Sequence, residues 1–205
     1  KAGAVRVCAD AQAAGAAAQA MLGTQVAGLP VSAVYVEEAV PIAREFYLSL
    51  AFGNLRPRLL VSIAGGVDIE SAVHGQAGRL VQCEIDPLRG LTPWQAMDAW
   101  DRAGAEAALL PALADLSMRL YAAFVEADAL MLEVNPLALR HDGALSLVGT
   151  MLEVDDNALF RQAEWRRIGD EEGDGEQANA RERMVVRANR ELPGASVRYT
   201  ELDGD

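Results

Sequence analysis

The chain has 205 residues, 51% of them hydrophobic and 5% aromatic, with a formal net charge of -12 at pH 7. That is enough apolar residue for one sizeable core or two small lobes, and the acidic balance argues against any general affinity for nucleic acid or an anionic membrane. No apolar run reaches the roughly 18 residues a membrane span needs. Cys8 and Cys83 are far apart and lack metal-ligand spacing, so both read as reduced thiols. The alanine-rich start carries polar breaks and reads as a helix in preference to a signal peptide, so a cytoplasmic protein is expected. Lys1 is the only lysine, leaving one candidate for a phosphate-binding lysine, at the very start.

In chain order, "DAQAAGAAAQAMLG" predicts a helix with Asp10 near its N-cap and Gly23 closing it. "VSAVYVEEAV" and "EFYLSLAF" are rich in β-branched and aromatic residues and predict strands, as does "RLLVSIA" after the turn in "GNLRPR". "AGGVDIESAV" then sets two glycines before a short acidic segment. "TPWQAMDAWDRAG" and "AEAALLPALADLSMRLYAAFVEA" have helical periodicity, and Pro111 marks either the start of the second helix or a kink in it. A hairpin, "ALMLEVNPLALRHDGALSLVG", leads into an acidic "EVDDNALFRQAEW" and a further helix, with Asp155 or Asp156 capping. After Ile168 the chain turns charged and poor in apolar side chains. Residues 1–168 are therefore expected to form the folded domain and 169–205 a loose segment. The order of elements predicts an α+β protein with helices on one side of a sheet.

The hairpin carries the chemistry. Strand residues two apart share a face, so Glu133 and Asn135 are expected to point the same way. A three-residue loop His141-Asp142-Gly143, with Gly143 at positive φ, places Asn135 opposite Gly149; a two-residue Asp142-Gly143 turn places it opposite Thr150. A carboxylate and an amide oxygen on one face suit Mg²⁺, which keeps waters and phosphate oxygens in its remaining positions. The plainer reading is that Asn135 begins a turn at Pro136 and Glu133 is solvated.

"LEVNPLALRHDGALSLVGTMLEVDDNALFRQAEW" resembles the ATP-grasp region of the β subunit of succinyl-CoA synthetase and its malate–CoA ligase relatives. "MLGTQVAGLPVSAVYVEEAVPIAREFYLSL", "GGVDIE", "IDPLRGLTPWQA" and "EVNPL" stand in the family's order and spacing, and the resemblance covers essentially the whole chain. It implies an ATP-grasp-type mixed sheet flanked by helices, incomplete at its N-terminus. It also implies an ADP- or GDP-forming acid–CoA ligase of the tricarboxylic acid cycle that uses ATP (or GTP) and Mg²⁺. In that family a carboxylate is activated by phosphoryl transfer, with a histidine of a partner α subunit carrying the phosphate. Carried over by position, Glu37 and Val40 match nucleotide-lining positions, Glu45 matches a second nucleotide-site glutamate facing the ribose hydroxyls, and Asn135 matches a Mg²⁺ ligand. Taken apart from the resemblance, Glu37 and Glu45 read as strand-edge ion pairs and Val40 as a core contact.

Several positions depart from the family. Its other Mg²⁺ ligand, an aspartate on the second hairpin arm, falls at Gly149 and the lysine after it at Met151. "FGNLRPR" lacks the Asp-Arg pair usual at that turn, and Ala64 stands where glutamate is frequent. Glu153 lies four residues past Gly149, about 13 Å along the strand, too far to replace the aspartate directly. The family's glycine-rich loop and upstream lysine would precede Lys1 and its CoA-ligase domain would follow "YTELDGD", so the chain is expected to be the middle part of such a subunit. The alternative is an ATP-grasp descendant with a binding, structural or regulatory role and no phosphoryl transfer.

Overall fold

A computed structural model describes residues 5–26, 28–53, 55–66 and 80–171, with 181, 184, 185, 188, 197 and 199 beyond them. Helix α1 (Ala11–Met21) starts as its sequence predicts. The Asp10 carboxylate accepts a hydrogen bond from the Ala13 amide at 2.7 Å, and Gly23 takes φ 76° just past its end. None of its residues is buried, so it adds nothing to the core. The two-residue strands β1 (Gln25–Val26) and β2 (Leu29–Pro30) pair antiparallel beside it.

The body of the molecule is a six-stranded sheet. Its strands are β3 (Ile42–Gly53), β4 (Arg56–Ser62), β5 (Val81–Glu84), β6 (Ala129–Arg140), β7 (Leu145–Leu147) and β8 (Thr150–Val154). Their order is β5-β4-β3-β6-β7, with β8 also pairing β6, and every pairing is antiparallel. Strand β3 alternates as a half-buried strand should: Phe46, Leu48 and Leu50 are fully buried, while Glu45 is exposed and Tyr47 half-buried. Helices α2 (Pro93–Ala103) and α3 (Leu110–Glu126) cover the buried face. Trp100 of α2 meets Phe46 edge to face, with centroids 5.9 Å apart, and its indole N–H donates to Ser117 Oγ of α3 at 3.0 Å. The Ser117 hydroxyl donates in turn to the Leu113 carbonyl at 2.7 Å, so the polar atoms of this core are paired. The fold is thus α+β, with α2 and α3 on one face of the sheet.

Local signals set the helix ends. Pro93 opens α2, Gln95 Oε1 accepts from the Thr92 amide at 3.1 Å, and Gly104 closes the helix at φ 94°. Pro111 lies in the first turn of α3 and does not kink it. After β8, Asp155 caps a 3₁₀ turn (Asp156–Ala158), and α4 (Ala163–Glu171) runs past Ile168, where the sequence changes character. Residues 172 onward lie almost wholly outside the described part, as do residues 67–70 of "GGVDIE". Asp128 ties this end down. At φ 50° it accepts from Arg161 Nε at 2.8 Å and from Gln162 Nε2 at 2.7 Å, and these bonds hold its carboxyl down at about 2.

One strand expected from sequence is absent. Residues 31–41 form no strand: Val31 exchanges main-chain hydrogen bonds with Gly23 and Thr24, and beyond it Tyr35 is 85% and Val36 59% exposed. β-Branched and aromatic residues fit a pleated surface, yet they cannot make a strand without a neighbour for the main chain, and past Val31 this segment has no main-chain pairing among the described residues. In the other direction β5, four residues with only Val81 buried, has too short a pattern to stand out in the sequence.

Candidate functional site

The β6–β7 turn is the three-residue loop. The Gly143 amide donates to the Arg140 carbonyl at 3.0 Å, the Arg140 amide to the Ala144 carbonyl at 2.9 Å, and Gly143 takes φ 84°. The register that follows, Leu139 with Leu145 and Leu137 with Leu147, carries Asn135 to Gly149, and the Asn135 amide donates to the Gly149 carbonyl at 2.8 Å.

Across β6, on the β3 side, the ladder is irregular at the same place. Phe46 pairs with Leu137 and Leu48 with Val134, so Asn135 and Pro136 together face Tyr47 alone. This is a β-bulge in a central strand, where a proline is tolerated because a bulge leaves one residue outside the ladder and proline has no N–H to give it. The Asn135–Pro136 peptide is cis.

On the face away from α2 and α3, β3 presents Glu45, Tyr47 and Ser49, and β6 presents Glu133 opposite Ser49. The Tyr47 hydroxyl donates to Glu133 Oε2 at 2.9 Å, joining the two strands. Burial pushes the Tyr47 phenol up to about 12, with the Glu133 carboxylate adding to the rise and the Ser49 hydroxyl opposing it. Beside this pair the Asn135 amide oxygen is buried and accepts no hydrogen bond among the described residues. A buried acceptor left open is uncommon and suits a donor or cation from outside the chain.

Three of the four residues singled out from sequence follow one another in one direction along the sheet. Val40 is half-buried and, with Glu38, Ala39, Pro41 and Arg140, lines a groove of about 270 Å³ at the Arg140 end of β6. Glu45 comes next, paired with Ala138, and Asn135 lies further along β6. From Arg140 to Asn135 the strand advances about 16 Å. Glu37 is exposed on the unpaired segment leading to the groove, and no ion pair involving it or Glu45 occurs among the described residues. Val40 is no core residue. Tyr47, not singled out in the sequence, belongs to the same row, and its place two residues after Glu45 is the signal that could have found it.

The second hairpin arm differs from what the sequence suggests. A Cβ built on Gly149 would lie 2.2 Å from the Asn135 carbonyl oxygen and 3.0 Å from its carbon. The position is therefore not an open seat awaiting a carboxylate: β6 main chain fills the space a side chain would enter. Among the described residues, no group of three or more His, Cys, Asp or Glu could hold a metal ion. One open amide oxygen at Asn135 is not a self-standing metal centre; it could supply only one ligand to a metal whose other positions are filled from outside the described residues. Glu153 lies away from Asn135 in a separate shallow acidic groove with Asp155 and Asp156.

With this geometry in place, similarity to known proteins places the chain in a class. Residues 1–139 match the ATP-grasp domain family, and the chain belongs to it. It is homologous to succinate–CoA ligase β subunits. It is 34% identical over 185 residues to the "Succinate--CoA ligase [ADP-forming] subunit beta" of Thioalkalivibrio sulfidiphilus, covering 89% of this chain and 45% of that protein. To the "Succinate--CoA ligase [GDP-forming] subunit beta" of Thermus thermophilus it is 39% identical over 173 residues, 82% of this chain and 46% of that one. The chain thus spans about half the length of these relatives. Among solved structures, ATP citrate lyase from Methanosaeta concilii in complex with (3S)-citryl-CoA superposes with a TM-score of 0.65 at 16% identity, over 93% of this chain and 44% of that one. The enzyme from Methanothrix soehngenii, with citrate and coenzyme A, gives 0.61 at 17% identity, over 89% and 42%. At these identities the likeness is one of fold. No helix among the described residues is long and apolar enough to cross a membrane.

Proposed function

We propose that this chain grips a nucleoside triphosphate along β3 and β6, as the ATP-grasp part of an ADP- or GDP-forming acid–CoA ligase β subunit. The observation that carries this reading is the order of groups along β3 and β6, away from α2 and α3. The Val40 groove, the Glu45 carboxylate and the open Asn135 oxygen follow one another over the reach of an extended nucleotide, as base, ribose and phosphate would. In this reading main-chain groups around Val40 receive the base, Glu37 stands at the entrance, Glu45 accepts from the ribose hydroxyls, and Asn135 turns its amide oxygen to the phosphate end. Mg²⁺ bound there would be held by Asn135 and the phosphates, and would neutralise the charge that phosphoryl transfer spreads over the phosphate oxygens. The residues of this chain bind and orient the nucleotide. Transfer onward to an α-subunit histidine, and the activation of a carboxylate, belong to the assembled ligase.

The filled space at Gly149 favours a second reading, an ATP-grasp module that binds nucleotide in a structural or regulatory role without transferring phosphate. Calorimetric titration of ATP, ADP, GTP and GDP into the full-length protein, with and without Mg²⁺, separates the two. Binding strengthened at least tenfold by Mg²⁺, and weakened to the metal-free level by Asn135→Ala, supports the ligase reading. Binding indifferent to Mg²⁺ supports the second. No binding to any of the four nucleotides overturns both.

A further inference from the structure

The turn after β4 passes directly over the part of β3 that holds Glu45. A Cβ built on Gly65 would lie 2.4 Å from the Phe46 carbonyl oxygen and 2.6 Å from its carbon, and one on Gly66 would lie 2.2 Å from Glu45 Oε2. All three distances are under the 3.0 Å that real Cβ atoms respect. The two overlaps differ in kind. At Gly65 the obstacle is β3 main chain, paired with β6 at Phe46 and with β4 from Tyr47 onward, and it cannot yield by a side-chain rotation. At Gly66 the obstacle is the end of a flexible side chain, which yields by swinging away. The Glu45 carboxylate therefore fills the volume that any side chain at position 66 would occupy.

We infer that Gly66 is a positioning residue for the nucleotide: the side chain it lacks leaves the place in which the Glu45 carboxylate lies and from which it meets the ribose hydroxyls. The inference rests on the proposed nucleotide role of Glu45. It separates two adjacent glycines by function, Gly65 serving the fold and Gly66 the site. Gly66 also takes φ +61°, where alanine is strained and asparagine is tolerated, so the two substitutions separate backbone strain from the presence of a Cβ.

The test measures the affinity of the full-length protein for ATP and GTP against their 2′,3′-dideoxy forms. Hydrogen bonds from two hydroxyls to a carboxylate predict a preference for the ribonucleotide of about ten- to a hundredfold in the wild type. Gly66→Ala and Gly66→Asn are both expected to lose most of that preference, although Gly66→Ala lowers the thermal midpoint more. Glu45→Ala loses it as well, and adding Gly66→Ala to Glu45→Ala changes affinity no further, because the residue displaced is already gone. A ribose preference that survives both Gly66 substitutions, or losses that add in the double variant, overturns the inference and leaves the proposed function standing. A wild type that binds nucleotide with no ribose preference overturns it through Glu45. A wild type that binds no nucleotide overturns the inference and the proposed function together.

Discussion

The two faces of β3 obey different rules. On one, Phe46, Leu48 and Leu50 are sealed under α2 and α3 with Trp100 at the centre, and every polar atom of the Trp100–Ser117–Leu113 chain has a partner. On the other, Glu45, Tyr47 and Ser49 lie beside Glu133 and an Asn135 oxygen that nothing in the described chain satisfies. One face is closed chemically and sterically, while the other keeps a buried acceptor without a partner among the described residues. Alternating residues of a single strand thus divide fold from site, so a substitution moved by one position should change the kind of damage as well as its size.

The largest expected effect is on the closed face. Trp100→Ala removes a fully buried ring, its edge-to-face contact with Phe46 and the partner of the Ser117 hydroxyl, a loss of about 3–5 kcal/mol. Chemical denaturation is expected to show the midpoint collapse. A loss under about 1 kcal/mol would mean that α2 does not anchor the sheet. Next in size is Gly149→Ala at the edge of the open face. Its Cβ would run into the Asn135 carbonyl, so the β6 hairpin must part, at a cost of about 1–3 kcal/mol. Gly149→Asp is expected to cost at least as much and to leave Mg²⁺-nucleotide affinity no higher. A gain in that affinity with stability unchanged would show that the hairpin readily makes room for a carboxylate, and would remove the argument for the second reading.

Local signals were readable in the sequence, and contacts between distant segments were not. The Asp10 cap follows from neighbours in sequence. Pro111 reads as a helix start or a kink and the turn at Gly143 as either of two loops, and the structure keeps the start and the three-residue loop. Residues 31–40 carry strand-forming residues, but whether a strand forms there depends on an edge to pair with, which is a property of the rest of the molecule. The row of site residues was half legible. A period of two relates Glu45 to Tyr47 and Glu133 to Asn135, but the hydrogen bond joining Tyr47 to Glu133 spans 86 positions, and the bulge at Asn135–Pro136 exists only against β3. The overlap at Gly149 was hidden for the same reason. A glycine replacing an expected ligand reads as an empty space until the main chain opposite is known.

The smallest effect is also the most local test of the open face. The Tyr47 phenol stands at about 12, raised above its ordinary 10.0 first by burial and then by Glu133. A pKa raised on folding means that the folded state favours the neutral phenol. The stability this contributes is complete below pH 10 and is lost as pH climbs through about 12. Absorbance titration of the phenolates should therefore show a late step that Tyr47→Phe removes and Glu133→Gln moves downward. Tyr121 is raised too, by burial and the Asp86 charge, so the assignment comes from the difference between wild type and variant. At neutral pH, Tyr47→Phe should cost less than about 1 kcal/mol, because the ring is only half-buried and water can reach the carboxylate it leaves. If the difference between wild type and Tyr47→Phe shows no late step, or Glu133→Gln leaves that step where it is, the Tyr47–Glu133 bond does not join the two strands, and the open face is less ordered than the closed one.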